Sequence, residues 1–538
     1  MSKEKLSREE TAKLEIGHTS IKRSYAIALS AMFLALIFMY PLIQFTYEFN
    51  TRKIHSMAEL QPLTIFPRLG NVPMKKGLME FNHNLCDAIK SYENSLEDTS
   101  ALRALLLPPA QKILLHSFRT GNEKVIVGRD GWLFYASDFN YLANPGFLRP
   151  ERLRKRELSG VQPDPVKAIL HFAEQLNERG IRLVLLPVPV KPMLYGEKLG
   201  GVSGILQNSS FREFRQRLEE AGVAVVDLAP EFAAMRKSGG EPYLKTDTHW
   251  TPEGMNLAAR RAAEKLALPG AGAPSAEKRI PQQITALGDI AAMLKLEKPE
   301  QFFEPETVTT IDWRCRPDKN ASILLLGDSF TNMYDAAAMN WGVNAGFANH
   351  LAFYAGRPVD VIARNDTGAF ATRELLANEL KRGRDRLKGK KVVIWEFAIR
   401  ELADGNWKLL DMTLGKAPEV RFLNVNEPRT VTAVVLAVSV VPRPHAAPYK
   451  DHVMTLHLGD IDSGSDQALV YIDSMRDNVL QPAASLRAGD TVRIELSPWS
   501  SAEAQYGNWN RSEINDETLM LQEPCWGKLA AHPAVSGK

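Results

Sequence analysis

Five short apolar runs, separated by amphipathic segments of helical length, most constrain what this chain can fold into. The runs Ile181–Val190, Val223–Leu228, Ser322–Leu326, Val359–Ala363 and Lys391–Phe397 are nearly continuous in apolar residues, as strands buried on both faces are. Helical spacing fills the stretches Pro165–Arg179, Phe211–Glu220, Thr251–Leu266, Thr331–Met339 and Thr372–Arg382. Gly180 can stop the first of these, and Thr251 and Pro252 sit where an N-cap and first helical residue belong. Alternating strands and helices predict an α/β fold with a mostly parallel sheet and helices on both faces. In such sheets the ligand site lies beyond the C-terminal strand ends.

The flanks follow other rules. Val125-Ile126-Val127 and Trp132-Leu133-Phe134-Tyr135 read as two strands joined at Asp130-Gly131, a hairpin-turn pair. From about Glu419 the runs Thr430–Val441, His452–Leu458, Ala468–Ile472 and Thr491–Leu496 alternate with Gly, Pro, Asp and Ser clusters. They predict a small C-terminal all-β module over residues 419–538. Residues 48–120 read as a juxtamembrane helical region, with helical segments at Met79–Tyr92 and Ala101–Phe118, the latter interrupted by Pro108-Pro109.

Ser24 to Tyr47 is an uncharged run between Arg23 and Glu48. As a helix it would reach about 36 Å, enough for a hydrocarbon core of roughly 30 Å. Lys3, Lys5, Arg8, Lys13, Lys22 and Arg23 precede it, and only Arg52 and Lys53 follow closely. The expectation is therefore a transmembrane signal anchor over residues 24–47. Residues 1–23 would be a cytoplasmic tail, the protein single-pass in the inner membrane, and the remainder periplasmic. A cleaved signal peptide is the rival, but the run is long for one and no small-x-small cleavage site follows.

A formal net charge of +3 with no strongly basic stripe argues against nucleic acid as a partner. Cys86, Cys315 and Cys525 are too few for a disulfide scaffold and are not spaced as a zinc site. A Cys315–Cys525 bridge and three buried thiols both remain open.

Chemistry concentrates in two motifs. Gly327-Asp328-Ser329-Phe330 follows an apolar strand and precedes a helical stretch, so Ser329 falls at a strand-to-helix junction whose amides can face an anion. Asp247-Thr248-His249-Trp250 supplies an imidazole with a carboxylate two residues away. Each motif alone also fits an ordinary turn. Together in one α/β domain they provide a nucleophile, a base and an orienting carboxylate, whose chain order is free. No further His, Asp, Glu or Cys set at ligand spacing predicts a metal, and no cofactor is implied.

Gly128-Arg129-Asp130-Gly131-Trp132-Leu133-Phe134-Tyr135, the Asp247 and Ser329 motifs, and Val393-Ile394-Trp395-Glu396-Phe397 occur in this order. The set resembles the alginate O-acetyltransferase AlgX/AlgJ family of SGNH-hydrolase-like proteins, over roughly residues 85–410. The resemblance implies an SGNH-like acetyltransferase domain at 121–415, with Ser329 as nucleophile, His249 as base and Asp247 as its partner. It implies an exported polysaccharide O-acetyltransferase that receives acetyl groups from a membrane-bound O-acyltransferase. It also suggests a carbohydrate-binding role for the C-terminal module. Where the SGNH pattern expects an Asn, this chain has Trp395-Glu396, so the oxyanion donors are not assigned by the match. Asn365, Gly368, Arg364, Tyr334, Trp250 and Trp395 are the candidates for oxyanion or substrate contact. A carbohydrate acetyl-esterase with the same triad and a non-catalytic polysaccharide-binding assembly factor are the alternatives. The polymer itself, alginate, cellulose or another, is left open.

Overall fold

The computed structural model describes residues 22–52, 100–266, 268, 279–365, 368–381, 383–416, 422–442, 449–486, 488–514, 516 and 519–530. The chain divides into two compact units, residues 1–109 and 110–538. The predicted helix Met79–Tyr92 and Cys86 lie outside the described residues.

In the first unit a helix spans Arg23–Arg52, over the stretch expected to cross a membrane. That expectation is corrected: among the described residues, no helix is long and apolar enough to cross a membrane. Ser24, Ser30, Gln44 and Thr46 dilute the apolar run with polar groups. Gln44 is buried, and its carboxamide oxygen accepts the Ala101 amide at 2.9 Å. The helix Ala101–Phe118 runs through Pro108 and Pro109, where an interruption was expected.

The second unit starts within this helix, at Ala110, and continues into the predicted hairpin. Strands β1 (Val125–Val127) and β2 (Leu133–Tyr135) pair antiparallel, with Val127 opposite Leu133. Asp130 and Gly131 have φ of 57° and 79°. Left-handed backbone at both central positions matches the strand twist, which is why an Asp-Gly pair serves here.

Next comes the parallel sheet. Its strands are β3 (Arg182–Val188), β4 (Ala224–Val225), β7 (Ile323–Gly327), β8 (Asp360–Ala363) and β9 (Val392–Ala398), in the order β4-β3-β9-β7-β8. Every pairing among them is parallel. All residues of β7 and β9 are buried, so cover on both faces follows from their unbroken apolar sequence. The covering helices start on sequence cues. Asp164 caps Pro165–Asn177 by accepting the amides of Val166 and Lys167 at 3.0 and 3.1 Å.

Two local expectations fail. The predicted helix Thr331–Met339 is only a turn, Ser329–Asn332, followed by a 3-10 turn at Ala337–Met339. Tyr334 lies between them at φ 66°, a left-handed conformation that no helix tolerates. A helix at Phe347–Ala355 takes its place in the packing. A polar hairpin, β5 (Ile280–Ala286) with β6 (Glu306–Asp312), was also not anticipated.

The C-terminal module is more specific than a small all-β unit. Its strands are β10 (Arg429–Val438), β11 (His452–Gly459), β12 (Ala468–Arg476), β13 (Val479–Leu480), β14 (Thr491–Pro498), β15 (Asn510–Ser512) and β16 (Pro524–Leu529). Pairing runs β12-β16-β14-β10-β11 and returns from β11 to β12, closing a five-stranded barrel. Val435, Leu456, Val470, Ile494 and Leu496 fill it. Closure removes the open edges that such short strands would otherwise expose. Cys315 and Cys525 are free thiols, so the bridge considered from sequence is not formed.

Candidate active site

Gly327 ends β7, and a Cβ there would overlap the Thr331 side chain, so glycine is required for the chain to fold back this tightly. Asp328 is then held from three sides. One oxygen of its carboxylate caps the Phe330 amide at 2.8 Å and the other accepts the Ala398 amide at 2.7 Å. Its own N–H donates to Glu396 Oε2 at 3.0 Å. The rim so formed presents Ser329, half-buried, at the C-terminal end of the sheet.

His249 reaches that serine from a separate loop eighty residues away in sequence. Its Nε2 lies 2.8 Å from Ser329 Oγ and its Nδ1 2.7 Å from Asp247 Oδ1. The carboxylate fixes the tautomer: Nδ1–H donates to Asp247, which leaves Nε2 to accept from the hydroxyl. Asp247 Oδ1 also accepts the His249 amide at 3.0 Å, while Oδ2 accepts the Asp289 amide at 3.0 Å and Trp341 Nε1–H at 2.9 Å.

The loop is itself anchored. Glu306 on β6 accepts the amides of Lys245 and Thr246 at 2.9 and 3.0 Å. Asp289 accepts the Thr248 amide at 2.7 Å. Lys191, fully buried, donates from Nζ to the carbonyls of Leu133 and Lys245 at 2.8 and 3.1 Å. That ammonium ties the β1–β2 hairpin to the residue two before Asp247.

Electrostatics follow the contacts. Burial would raise Asp247, but the hydrogen bond and charge of His249 and the two donated amides outweigh it and hold the carboxyl below its usual range. For His249, burial favours the neutral ring, but Asp247, Asp289 and Asp328 win and raise it above 6.5. Burial and the charge of Asp247 push Asp289 up to about 6. Burial lowers Lys191 to about 8 against the pull of the surrounding carboxylates.

Asp247, His249 and Asp289 offer ligand atoms within 4.8 Å of one another, as a cation site would. A cation there would have to break the four hydrogen bonds that saturate Asp247, one of which orients His249. The donor set fits a proton relay better than a metal.

Residues 125–399 match the family described as SGNH hydrolase-like domain, acetyltransferase AlgX. The chain belongs to this family. The probable alginate O-acetylase AlgJ of Pseudomonas aeruginosa is 27% identical over 301 residues, covering 53% of this chain and 72% of its own. Its counterpart in Pseudomonas fluorescens is 28% identical over 308 residues, covering 54% and 71%. Among solved structures, the O-acetyltransferase domain of Pseudomonas putida AlgJ aligns with a TM-score of 0.40 at 24% identity, over 52% of this chain and 93% of that one.

Within this acetyltransferase fold, the remaining candidates divide. Asn365 stands at the serine's rim of the sheet: the neighbouring Arg364 amide donates to Gly327 O at 3.0 Å, and Asn365 Oδ1 accepts from Asn332 at 2.6 Å. Gly368 turns at φ 78° against the Glu401 carboxylate. Arg364 instead donates to the Arg511 carbonyl of the barrel at 3.2 Å. Trp250, Trp395 and Tyr334 have no exposed surface and make their contacts within the core. Trp250 stacks on Phe347 and meets Phe330 edge-on. Trp395 lies under Arg373, against Phe172 and Trp407. Tyr334 donates its hydroxyl proton to the Trp250 carbonyl at 2.7 Å.

Asp289, Glu306, Trp341, Lys191 and Glu396 support the site without having been singled out for it. Only Glu396 carried a signal, as a lone carboxyl inside an apolar strand. The others act through contacts between segments distant in sequence.

Proposed function

We propose that this protein transfers acetyl groups to the hydroxyls of a polysaccharide in the periplasm, through an acetyl-Ser329 intermediate. His249 Nε2 takes the proton of Ser329 as Oγ attacks the carbonyl carbon of an acetyl donor. The tetrahedral adduct collapses, and the proton passes from His249 to the departing group. A sugar hydroxyl then gives its proton to His249 and attacks the acetyl carbon, and Ser329 leaves with that proton. Asp247 holds the ring in the required tautomer and stabilises the imidazolium that forms twice. The donor in this reading is an acetyl group handed over by a membrane-bound O-acyltransferase. Relatives named as probable alginate O-acetylases support a polysaccharide as the acceptor.

The observation that carries the proposal is the continuous Asp247–His249–Ser329 hydrogen-bond chain, 2.7 and 2.8 Å long in its two links, ending at the sheet rim. Intact-mass analysis of the protein with an activated acetyl ester tests it. One added acetyl, absent in Ser329→Ala and discharged faster by oligosaccharide than by buffer, is the expected result. An unmodified protein would refute the intermediate, and discharge indifferent to sugar would make the enzyme an esterase.

A further inference from the structure

A cleft of about 870 Å³ separates the acetyltransferase domain from the barrel. Its floor includes edge strand β8, whose last residue, Ala363, pairs with Gly327 two positions before the serine. Asn332, from the same helical turn as Ser329, also lines it. The opposite wall carries Trp499 and Trp509, both half-buried, from the barrel. The cleft therefore takes in a residue of the turn that carries Ser329 and is furnished with aromatic rings.

Its charges cancel. Five basic and six acidic side chains line it, and each basic group has a carboxylate close by. On the barrel side Lys319 meets Glu503 at 3.1 Å, Arg384 lies 3.5 Å from Glu523, and Arg511 lies 3.2 Å from Glu513. On the sheet side Arg384 also pairs with Glu379 at 2.7 Å, Arg316 with Asp312 at 2.8 Å, and Arg386 with Asp360. A polyanion entering such a cleft would meet paired cations and a surplus carboxylate, with no net field to draw it in. Sugar C–H faces stack on indole rings, and neutral hydroxyls exchange hydrogen bonds with Asn344, Gln505 and Asn508, all exposed on its walls.

We propose that this cleft binds the acceptor, and that the acceptor is an uncharged polysaccharide rather than a polyuronate. The inference rests on the acetyltransferase reading for the word acceptor, but binding can be read without chemistry. The test is affinity electrophoresis of the full chain through gels containing a soluble β-glucan, a galactomannan or polymannuronate. Retardation by a neutral polymer, insensitive to salt, and none by polymannuronate is the expected result. Retardation by polymannuronate alone, or by none of the three, overturns the proposal, whatever the acetyl-enzyme experiment gives. Trp509→Ala should abolish the retardation. The pair Glu503→Gln and Glu523→Gln, which frees Lys319 and leaves Arg384 with Glu379 alone without touching the core, should keep it and add salt-sensitive retardation by polymannuronate. Unchanged migration of both variants would place binding elsewhere and end the case for the cleft. Acetylation of Ser329 by an activated ester should be the same in all of them, so its loss would mark a failure of the catalytic reading instead.

Discussion

Glu396, wholly buried on β9, accepts the amide hydrogen of Asp328 at 3.0 Å and so grips the residue just before the nucleophile. The same oxygen accepts the Thr331 hydroxyl at 2.7 Å. Burial and the neighbouring Asp328 carboxylate raise Glu396 well above its ordinary value, which favours its neutral form. Glutamine reproduces a neutral carboxylic acid with the same acceptor. Glu396→Gln should therefore keep both the fold and acetyl transfer. Glu396→Ala, which strands two donors, should cost roughly 2–4 kcal/mol, read by chemical denaturation. The sign with pH follows: a raised acid stabilises fully below its unfolded value and loses that contribution as pH rises towards its folded one. Above pH 4.5 the wild type should thus lose stability that Glu396→Gln retains. A Glu396→Gln variant as weak as Glu396→Ala would mean that the carboxyl is ionised.

The relay predicts steep losses without unfolding. Ser329→Ala removes the nucleophile, and His249→Ala the base. Asp247→Asn keeps the shape but invites the wrong tautomer, for which about four orders of magnitude in kcat is a reasonable scale. The measurement is ester turnover beside a melting curve. Near-normal turnover by folded Asp247→Asn would remove the carboxylate from the mechanism.

What was legible in the sequence was what depends on local pattern. Ile323–Leu326 announced a buried central strand, and Thr251-Pro252 announced a helix start. Asp247, His249 and Ser329 were legible because their chemistry is rare and their motifs compact. The helix expected at Thr331–Met339 was not, because three consecutive alanines at 336–338 favour helix locally, whereas tertiary packing holds Tyr334 left-handed to reach the Trp250 carbonyl. Burial of Trp250 and Trp395 was hidden for the same reason: a tryptophan's sequence neighbours do not say which face it turns to the core. The barrel's closure depends on β11 meeting β12 while β16 returns between β12 and β14, and no local pattern encodes that pairing. The Arg23–Arg52 stretch marks the opposite case, where an apolar run suggested more than its polar residues allow.

The rate should report the raised His249. The imidazole must be neutral to act as base, so ester turnover should climb with pH through a midpoint above 6.5. Asp289 Oδ2 lies 4.0 Å from Nδ1 and contributes to that elevation. Asp289→Asn should move the midpoint to lower pH while leaving the plateau rate nearly unchanged. A pH–rate profile of the two proteins decides it: an unmoved midpoint would show that Asp289 does not influence the ring. The linked stability has the same sign as for any raised base, present below 6.5 and lost as pH rises through the folded value.

Lys191 offers a last test, of the scaffold beneath the site. Its ammonium is enclosed and satisfies two carbonyls, Leu133 on the hairpin and Lys245 before the Asp247 loop. Lys191→Met fills the same volume but leaves both carbonyls without their donor and the surrounding carboxylates Asp247, Asp289, Glu306 and Asp138 without their cation. The expected cost is about 3 kcal/mol or more, the scale for removing one member of a buried charge network. With the cation gone, the acids hold His249 more tightly protonated, so any activity that remains should show its rising limb displaced to higher pH. Lys191→Arg, too long for the enclosed site, should not rescue it. Denaturant unfolding and the pH–rate profile separate the two effects: lost stability with an unmoved limb would leave Lys191 a structural tie only, and neither change would remove it from the account of the site altogether.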